Sequence, residues 1–313
     1  MKRSHPSHDL PAEKRHSGTI ISLPGGLEVS CAYAEDRGIR KTMEDTKLVC
    51  LRLSKMHAIP AANDCCVLAV FDGHGGGRTA NFLQETFLEV WAAQIGEAFE
   101  FGDDSAVRRA FRTTFEQLDS RFCEENPNAK SGSTAVVAVL PLATKLPMAF
   151  VASAGDSACY LLRRSALGST AVDVHAVPLS VSHKPWLPPS EKDRIISFGG
   201  TVEAGRLNGQ LAVSRSIGDL PFKKFGLSSR PSVRKVQLTS DDIGIAVGCD
   251  GAWSSWSPQD AASKIALLAS QQGKGNLDVR RLCKNVVEHL VVDKRAADNV
   301  TLVLAMFMLP PEP

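Results

Sequence analysis

The run Cys-Cys-Val-Leu-Ala-Val-Phe at 65–71, closed by Asp72 and followed by Gly-His-Gly-Gly-Gly, constrains the fold more than any other stretch of this chain. A continuous apolar run of this length reads as a strand buried on both faces. Successive side chains on a strand point to opposite faces, so Cys65 and Cys66 cannot share one, and at least one of them belongs to a core. Covered on both sides, such a strand implies a layered architecture. Its mouth carries an acid and an imidazole two residues apart, Asp72 and His74, with almost no side chains around them. Glycine there lets backbone or a bound group approach closely.

The flanking segments fit such layers. Residues 27–35 and 46–53 alternate in the manner of half-buried strands. Helices are expected over 77–99 and 105–123; in the second, Val107, Phe111, Phe115, Leu118 and Phe122 recur at helical spacing. Residues 134–141, 148–156 and 158–164 follow one another closely, which predicts antiparallel hairpins. A short helix is expected from Ser190, with Asp193 as its capping-box partner. Residues 242–250 and 299–308 read as buried strands, and 258–271 and 277–291 as helices. Strand groups interrupted by helix pairs favour an α+β domain with packed sheets.

Composition narrows the possible roles. The 313 residues allow one large domain or two ordinary ones. A net charge of +2 gives no bulk electrostatic case for nucleic acid or an anionic membrane. No apolar run approaches the roughly 18 residues of a membrane span. The cysteines at 31, 50, 65, 66, 123, 159, 249 and 283 include no CxxC pair. That usage predicts buried, reduced thiols in an intracellular protein and argues against a zinc site. Residues 1–24 are polar and proline-interrupted and read as a flexible tail, leaving 25–313 as the folded domain. The expected location is the cytoplasm, with a nuclear pool if Lys2-Arg3 and Lys14-Arg15 act as an import signal rather than a solvated tail.

Acids recur in one local context. Asp72, Asp156 and Asp250 each close an apolar run beside a glycine, Asp298 precedes one, and Glu44-Asp45 forms a fifth acidic spot. Any one of them alone reads as a turn residue. Collected at one edge of a sandwich, they would repel each other unless a cation sat among them. Hard oxygen ligands suit Mg²⁺ or Mn²⁺.

The blocks RKTMED (40–45), FDGHGG (71–76), SGSTA (131–135), GDS (155–157), LAVSRSIGD (211–219), CDGAW (249–253) and DNVT (298–301) resemble, in order, those of the metal-dependent serine/threonine phosphatases of type 2C, the PPM family. The resemblance covers about residues 28–308. It implies a four-layer α/β/β/α sandwich, two antiparallel sheets flanked by helices, with two Mg²⁺ or Mn²⁺ ions at one edge. It further implies hydrolysis of phosphoserine and phosphothreonine in proteins by a metal-activated bridging hydroxide, without a phosphoenzyme intermediate. Carried onto this chain, Asp72 would bridge both ions and Gly73 would offer its carbonyl. Asp250 and Asp298 would hold the first ion, Glu44 would ligate the second and Asp45 would orient its waters. Asp156, with Asp250, matches the holders of a weaker third ion. Arg40 matches the residue that grips the phosphate, and His74 would protonate the leaving oxygen. Asp219 reads as structural or flap-positioning rather than as a ligand, and His183 is assigned no chemistry.

Three positions depart from the family pattern: Ala158 stands for an arginine, and Ser182 and Ser254 for acids. They motivate an alternative, a catalytically weak phosphatase-like protein that binds phosphoproteins or regulates. A metal-dependent nuclease would need a basic groove that the near-neutral composition does not suggest. The expected state is a monomer.

Overall fold

The computed structural model describes residues 20–165, 173–273 and 277–308. The first half runs β1 (Ile20–Ser22), β2 (Glu28–Asp36), β3 (Thr46–Cys50), β4 (Cys65–Phe71) and β5 (Gly73–His74), then helices α1 (Arg78–Gln94) and α2 (Asp104–Glu125). After these come β6 (Gly132–Ser133), β7 (Ala135–Pro141), β8 (Met148–Ala154), β9 (Ala158–Arg164) and β10 (Val174–Pro178). A segment with α3 (Pro189–Ser197), β11 (Val202–Glu203), β12 (Arg206–Leu207), β13 (Ile217–Gly218) and α4 (Leu220–Lys223) follows, and we call it the flap. The chain closes with β14 (Ser232–Gln237), β15 (Asp242–Gly248), α5 (Asp250–Ser254), α6 (Pro258–Ser270), α7 (Val279–Glu288) and β16 (Val300–Met308).

Two antiparallel sheets stack face to face, in the orders β1-β2-β16-β15-β9-β10 and β14-β8-β7-β4-β3. Strand β4 shows why. Its even-numbered side chains, Cys66, Leu68 and Val70, share a core with Val136 and Ala138 of β7 and with Leu161 and Val247 of the facing sheet. Its odd-numbered ones, Cys65, Val67, Ala69 and Phe71, share a second core with Leu83, Phe87 and Trp91 of α1 and Phe111 of α2. The first core continues through the other sheet to Ile265 of α6 and Leu282 and Val286 of α7. The result is the α/β/β/α sandwich. Each fully buried large apolar side chain contributes about 1.5–3 kcal/mol. Trp91 and Phe111 stack at 4.5 Å, which adds on the order of 1 kcal/mol.

Several expectations need correction. Residues 20–22 are not tail: Ile20–Ser22 pair with Glu28–Ser30 as an edge strand, and Ile21 is buried. The earlier part of the tail, with both Lys-Arg pairs, lies outside the described residues. Strands β8 and β9 do not form a hairpin. Gly155, at φ +108°, packs where a Cβ would strike the Thr134 side chain, and it turns the chain out of one sheet and into the other. Close spacing reveals a turn but not which sheet the chain enters. Helix α1 stops at Gln94, because Ile95 leaves helical geometry ahead of Gly96. Helix α3 begins at Pro189, so Ser190 lies inside it and no side chain caps it. Helix α7 ends at Glu288, and residues 289–293 continue as a π turn.

Candidate active site

Strand ends bring the acids together at one edge of the sandwich. Asp72 follows β4; its N–H donates to Thr134 Oγ1 (3.3 Å) and its carbonyl accepts from the Thr134 N–H (2.9 Å). Asp250 opens α5 directly after β15, and its N–H lies 3.5 Å from Asp72 Oδ2. Asp298 precedes β16, where its Oδ1 accepts from the Asn299 N–H at 2.8 Å. Asn299 then pins the 37–44 loop. Its Nδ2 donates to the carbonyls of Arg37 and Thr42 (2.9 Å each), and its Oδ1 accepts from the Glu44 N–H (2.9 Å). Glu44 accepts from Thr42 Oγ1 (3.0 Å) and the Gly76 N–H (2.9 Å). Buried Asp45 accepts from Thr301 Oγ1 at 2.8 Å. Gly73 is required here, because a Cβ on it would collide with the Glu44 carbonyl oxygen.

The electrostatics show what the cluster lacks. Burial, then the charges of Asp45, Asp250 and Asp156, pushes Asp72 well above the usual carboxylate range. Burial and Asp298 raise Asp250. Asp45 is pushed up to about 6, mainly by burial. Asp156 also reaches about 6, through burial and Asp250, partly relieved by Lys184 at 3.9 Å. Ionised carboxylates this close in a partly dry site need a cation. The atoms of Asp45, Asp72 and Cys249 that could ligate one lie within 4.8 Å of one another. Cys249, however, is fully buried, and burial pushes its thiol up. Its Sγ already accepts from the Thr301 N–H (3.2 Å) and donates to the Asn299 carbonyl (3.3 Å). The available donors are therefore oxygens, which fit a hard divalent ion.

Arg40 and His74 flank this cluster. Arg40 Nη2 donates to Asp298 Oδ2 at 2.6 Å, and its side chain is otherwise exposed. His74 is set by β5, which pairs with β6, which pairs in turn with β13 of the flap. That ladder places His74 Nε2 2.7 Å from Asp219 Oδ2, which also accepts from Ser216 Oγ at 2.6 Å. Burial lowers the pKa of His74, but the Asp219 hydrogen bond and charge, with Asp156 and Glu44 behind it, outweigh that and raise it. Gly132 lies under Asp219, where a Cβ would overlap the carboxylate.

The structure thus gathers Glu44, Asp45, Asp72, Gly73, Asp156, Asp250 and Asp298 at one edge, with Arg40 and His74 beside them. Asp219 is the partner of His74, in keeping with a positioning role. Thr134, Asn299 and Thr301 join the site as well; each stands in a motif block, and polarity at a strand end is the signal that marks it, whereas Lys184 comes from a loop with no such signal. Buried His183 is pushed down to about 4 by burial and by Arg215, so it stays neutral, with Nε2 2.8 Å from Ser232 Oγ. The departures at Ser182 and Ser254 are exposed, and neither side chain bonds to the cluster. Ala158 contributes only its carbonyl, which accepts from Trp253 Nε1 at 3.2 Å.

A sandwich with acids and a flap at one edge defines a class, and comparison with known proteins names it. Residues 30–300 match the family described as Protein phosphatase 2C. The chain is 36% identical over 307 residues to "Probable protein phosphatase 2C 67" of Oryza sativa subsp. japonica, covering 94% of this chain and 80% of that protein. It is 31% identical to the human "Integrin-linked kinase-associated serine/threonine phosphatase 2C", covering 95% and 76%. A solved serine-threonine phosphatase 2C from Toxoplasma gondii shares the fold, with TM-score 0.72 and 23% identity over 93% of this chain and 99% of that one. The chain belongs to the protein phosphatase 2C family. Its activity is that of a protein serine/threonine phosphatase, and the reading as a catalytically weak binding protein is not favoured.

Proposed function

We propose that this chain hydrolyses phosphoserine and phosphothreonine in proteins with Mg²⁺ or Mn²⁺ held by Asp72, the Gly73 carbonyl, Asp250, Asp298, Glu44 and Asp45, and a weaker ion at Asp156. The observation that carries this reading is the convergence of buried carboxylates whose pKa values are raised by burial and by one another's charge, with Lys184 in partial relief at Asp156 and Asp250. Two such ions, when bound, supply a nucleophilic hydroxide near neutral pH and charge stabilisation for phosphoryl transfer. Arg40 orients the phosphate, because its planar fork matches two phosphate oxygens. Asp298, which pairs with Arg40 at 2.6 Å, would hold it less tightly if it also held an ion, leaving Arg40 free for that role. His74, whose pKa Asp219 raises, gives its proton to the departing seryl or threonyl oxygen. The residues after β4 are nearly bare of side chains, which leaves room for the phosphate between these groups. We also propose that the protein acts as a monomer in the cytoplasm, with a nuclear pool only if Lys2-Arg3 and Lys14-Arg15 act as an import signal; the free, mostly buried cysteines support a reducing compartment.

The experiment is p-nitrophenyl phosphate hydrolysis with Mn²⁺, with Mg²⁺ and with EDTA, alongside Asp72→Asn. Turnover that needs a divalent ion and is lost in the variant supports the reading. Turnover that survives EDTA, or an Asp72→Asn enzyme of wild-type rate, overturns it.

A further inference from the structure

Arg108, Arg109 and Arg112 of α2 meet Arg215 and Arg230 around a cavity of about 320 Å³ that Val233 also lines. Positions 108, 109 and 112 fall on one helix face, since residues three and four apart are neighbours. The cations are poorly compensated. Arg112 has no hydrogen bond or ion pair among the described residues, and Arg108 donates only to the Val233 carbonyl, at 2.6 Å. Arg109 approaches Asp103 no closer than 4.0 Å. Arg230 pairs with Glu116 at 2.7 Å, and Arg215 shares Glu191 with Arg194. Five arginines therefore line one cavity; Arg215 is held by Glu191 and by the Arg230 carbonyl, so Arg108, Arg109 and Arg112 carry the charge that Asp103 and Glu116 offset least. Like charges held this close favour an anionic occupant, and guanidinium forks match a group with several acceptor oxygens.

The pocket is tied to the reaction centre. Two residues beyond Arg215, β13 pairs with β6, and β6 pairs with β5, which carries His74. Two steps of about 4.8 Å between strands, plus about three residues of chain, put Arg215 roughly 15–20 Å from His74. An extended peptide covers that distance in about five residues, at about 3.3–3.6 Å each.

We propose that this pocket is a second phosphoryl-binding subsite, which takes a phosphorylated side chain about five residues from the scissile phosphoserine or phosphothreonine of the same substrate. The proposal rests on the phosphatase reading above. It makes multiply phosphorylated segments the preferred substrates.

The test uses peptides with one phosphothreonine and, three to seven residues away on either side, a non-hydrolysable phosphonate analogue of phosphoserine, a glutamate or an alanine. Only one phosphate can then be released. The phosphonate peptide of the right spacing should exceed its alanine counterpart in kcat/KM on the order of tenfold, mainly through KM, with glutamate between them. Arg109→Gln/Arg112→Gln should bring that ratio near one, Arg112→Lys should keep most of it, and p-nitrophenyl phosphate turnover should not change in either. A ratio near one at every spacing, or one that survives in the double variant, overturns the subsite. Binding of the phosphonate peptide without its phosphothreonine, followed by fluorescence anisotropy in EDTA, separates the two readings. Salt-sensitive binding lost in the double variant upholds the subsite even if the wild type releases no phosphate at all; no binding overturns it.

Discussion

The guanidinium of Arg40 lies 2.6 Å from Asp298 Oδ2, joining two residues 258 positions apart. The residue proposed to hold the phosphate is thus paired with a residue proposed to hold a metal. Arg40→Ala should do two opposite things. It should tighten Mn²⁺ binding in the absence of substrate, by a few-fold, because an exposed ion pair is worth at most about 1 kcal/mol. It should also reduce kcat/KM for phosphopeptides by about 10²-fold or more. Calorimetric titration with Mn²⁺ checks the first effect and steady-state kinetics the second. Unchanged metal affinity would show that the pair does not compete with the ion.

Asp219 sets the protonation of His74, so it should set the alkaline limb of the pH profile. In the proposed role the working form of His74 is the protonated one, so activity should fall as pH rises through its pKa. Burial alone would lower that pKa; the Asp219 hydrogen bond and charge reverse the direction. Asp219→Asn should therefore move the loss of phosphopeptide turnover to lower pH. His74→Ala should cost about 10²-fold on phosphopeptides and much less on p-nitrophenyl phosphate, whose leaving group needs no proton. A profile of kcat against pH on both substrates checks both variants.

Without divalent ions, the folded protein should lose stability as pH rises from about 4 to 7. Asp45 and Asp156 titrate near 6 in the folded chain against an ordinary value of 3.8, so across that interval the native state holds more protons than the unfolded one. Each shift corresponds to roughly 3 kcal/mol lost once both states are ionised; His183, held at about 4 against an ordinary 6.5, returns a similar amount over the same interval, so the two carboxylates outweigh it and the net change is a decline. Thermal midpoints in EDTA should decline over this range, and the gain on adding Mn²⁺ should be largest near pH 7. A midpoint in EDTA that rises across the interval would contradict the cluster as described.

Glu191 anchors the flap. It is fully buried and accepts from Arg194 Nη1 and Nη2 (2.7 Å each), Arg215 Nη2 (2.7 Å) and Ser214 Oγ (2.6 Å). Burial alone would raise its pKa, but these donors overcome that and hold it at about 2. Glu191→Ala would leave two guanidinium groups without their carboxylate and should cost about 3–5 kcal/mol, read by urea unfolding. If only the flap opens, limited proteolysis between 183 and 231 should rise well before global unfolding.

Much of this architecture could be read along the chain, because hydrophobic pattern carries it. The unbroken 65–71 run, the four-and-three spacing of Val107, Phe111, Phe115, Leu118 and Phe122 in α2 and the largely apolar 243–248 and 300–308 stretches each specify an element and its burial. The acids at their ends were legible for the same reason. What local pattern could not reveal is pairing at long range. Nothing near residue 158 says that β9 leaves the sheet of β8, since that depends on Gly155 meeting Thr134. Nothing near His74 points to a carboxylate 145 residues away. The arginines around Val233 were likewise invisible, because a net charge of +2 conceals a local concentration of cations.

Strand β4 fills two cores at once and ends at Asp72. A slip of one residue against β3 and β7 would exchange the contents of both cores and withdraw that carboxylate by about 3.3 Å. The proposed ion site is therefore gauged by the whole sandwich rather than by its own loop. Substitutions deep under either helix layer, far from any ligand, should blur cation affinity before they unfold the chain.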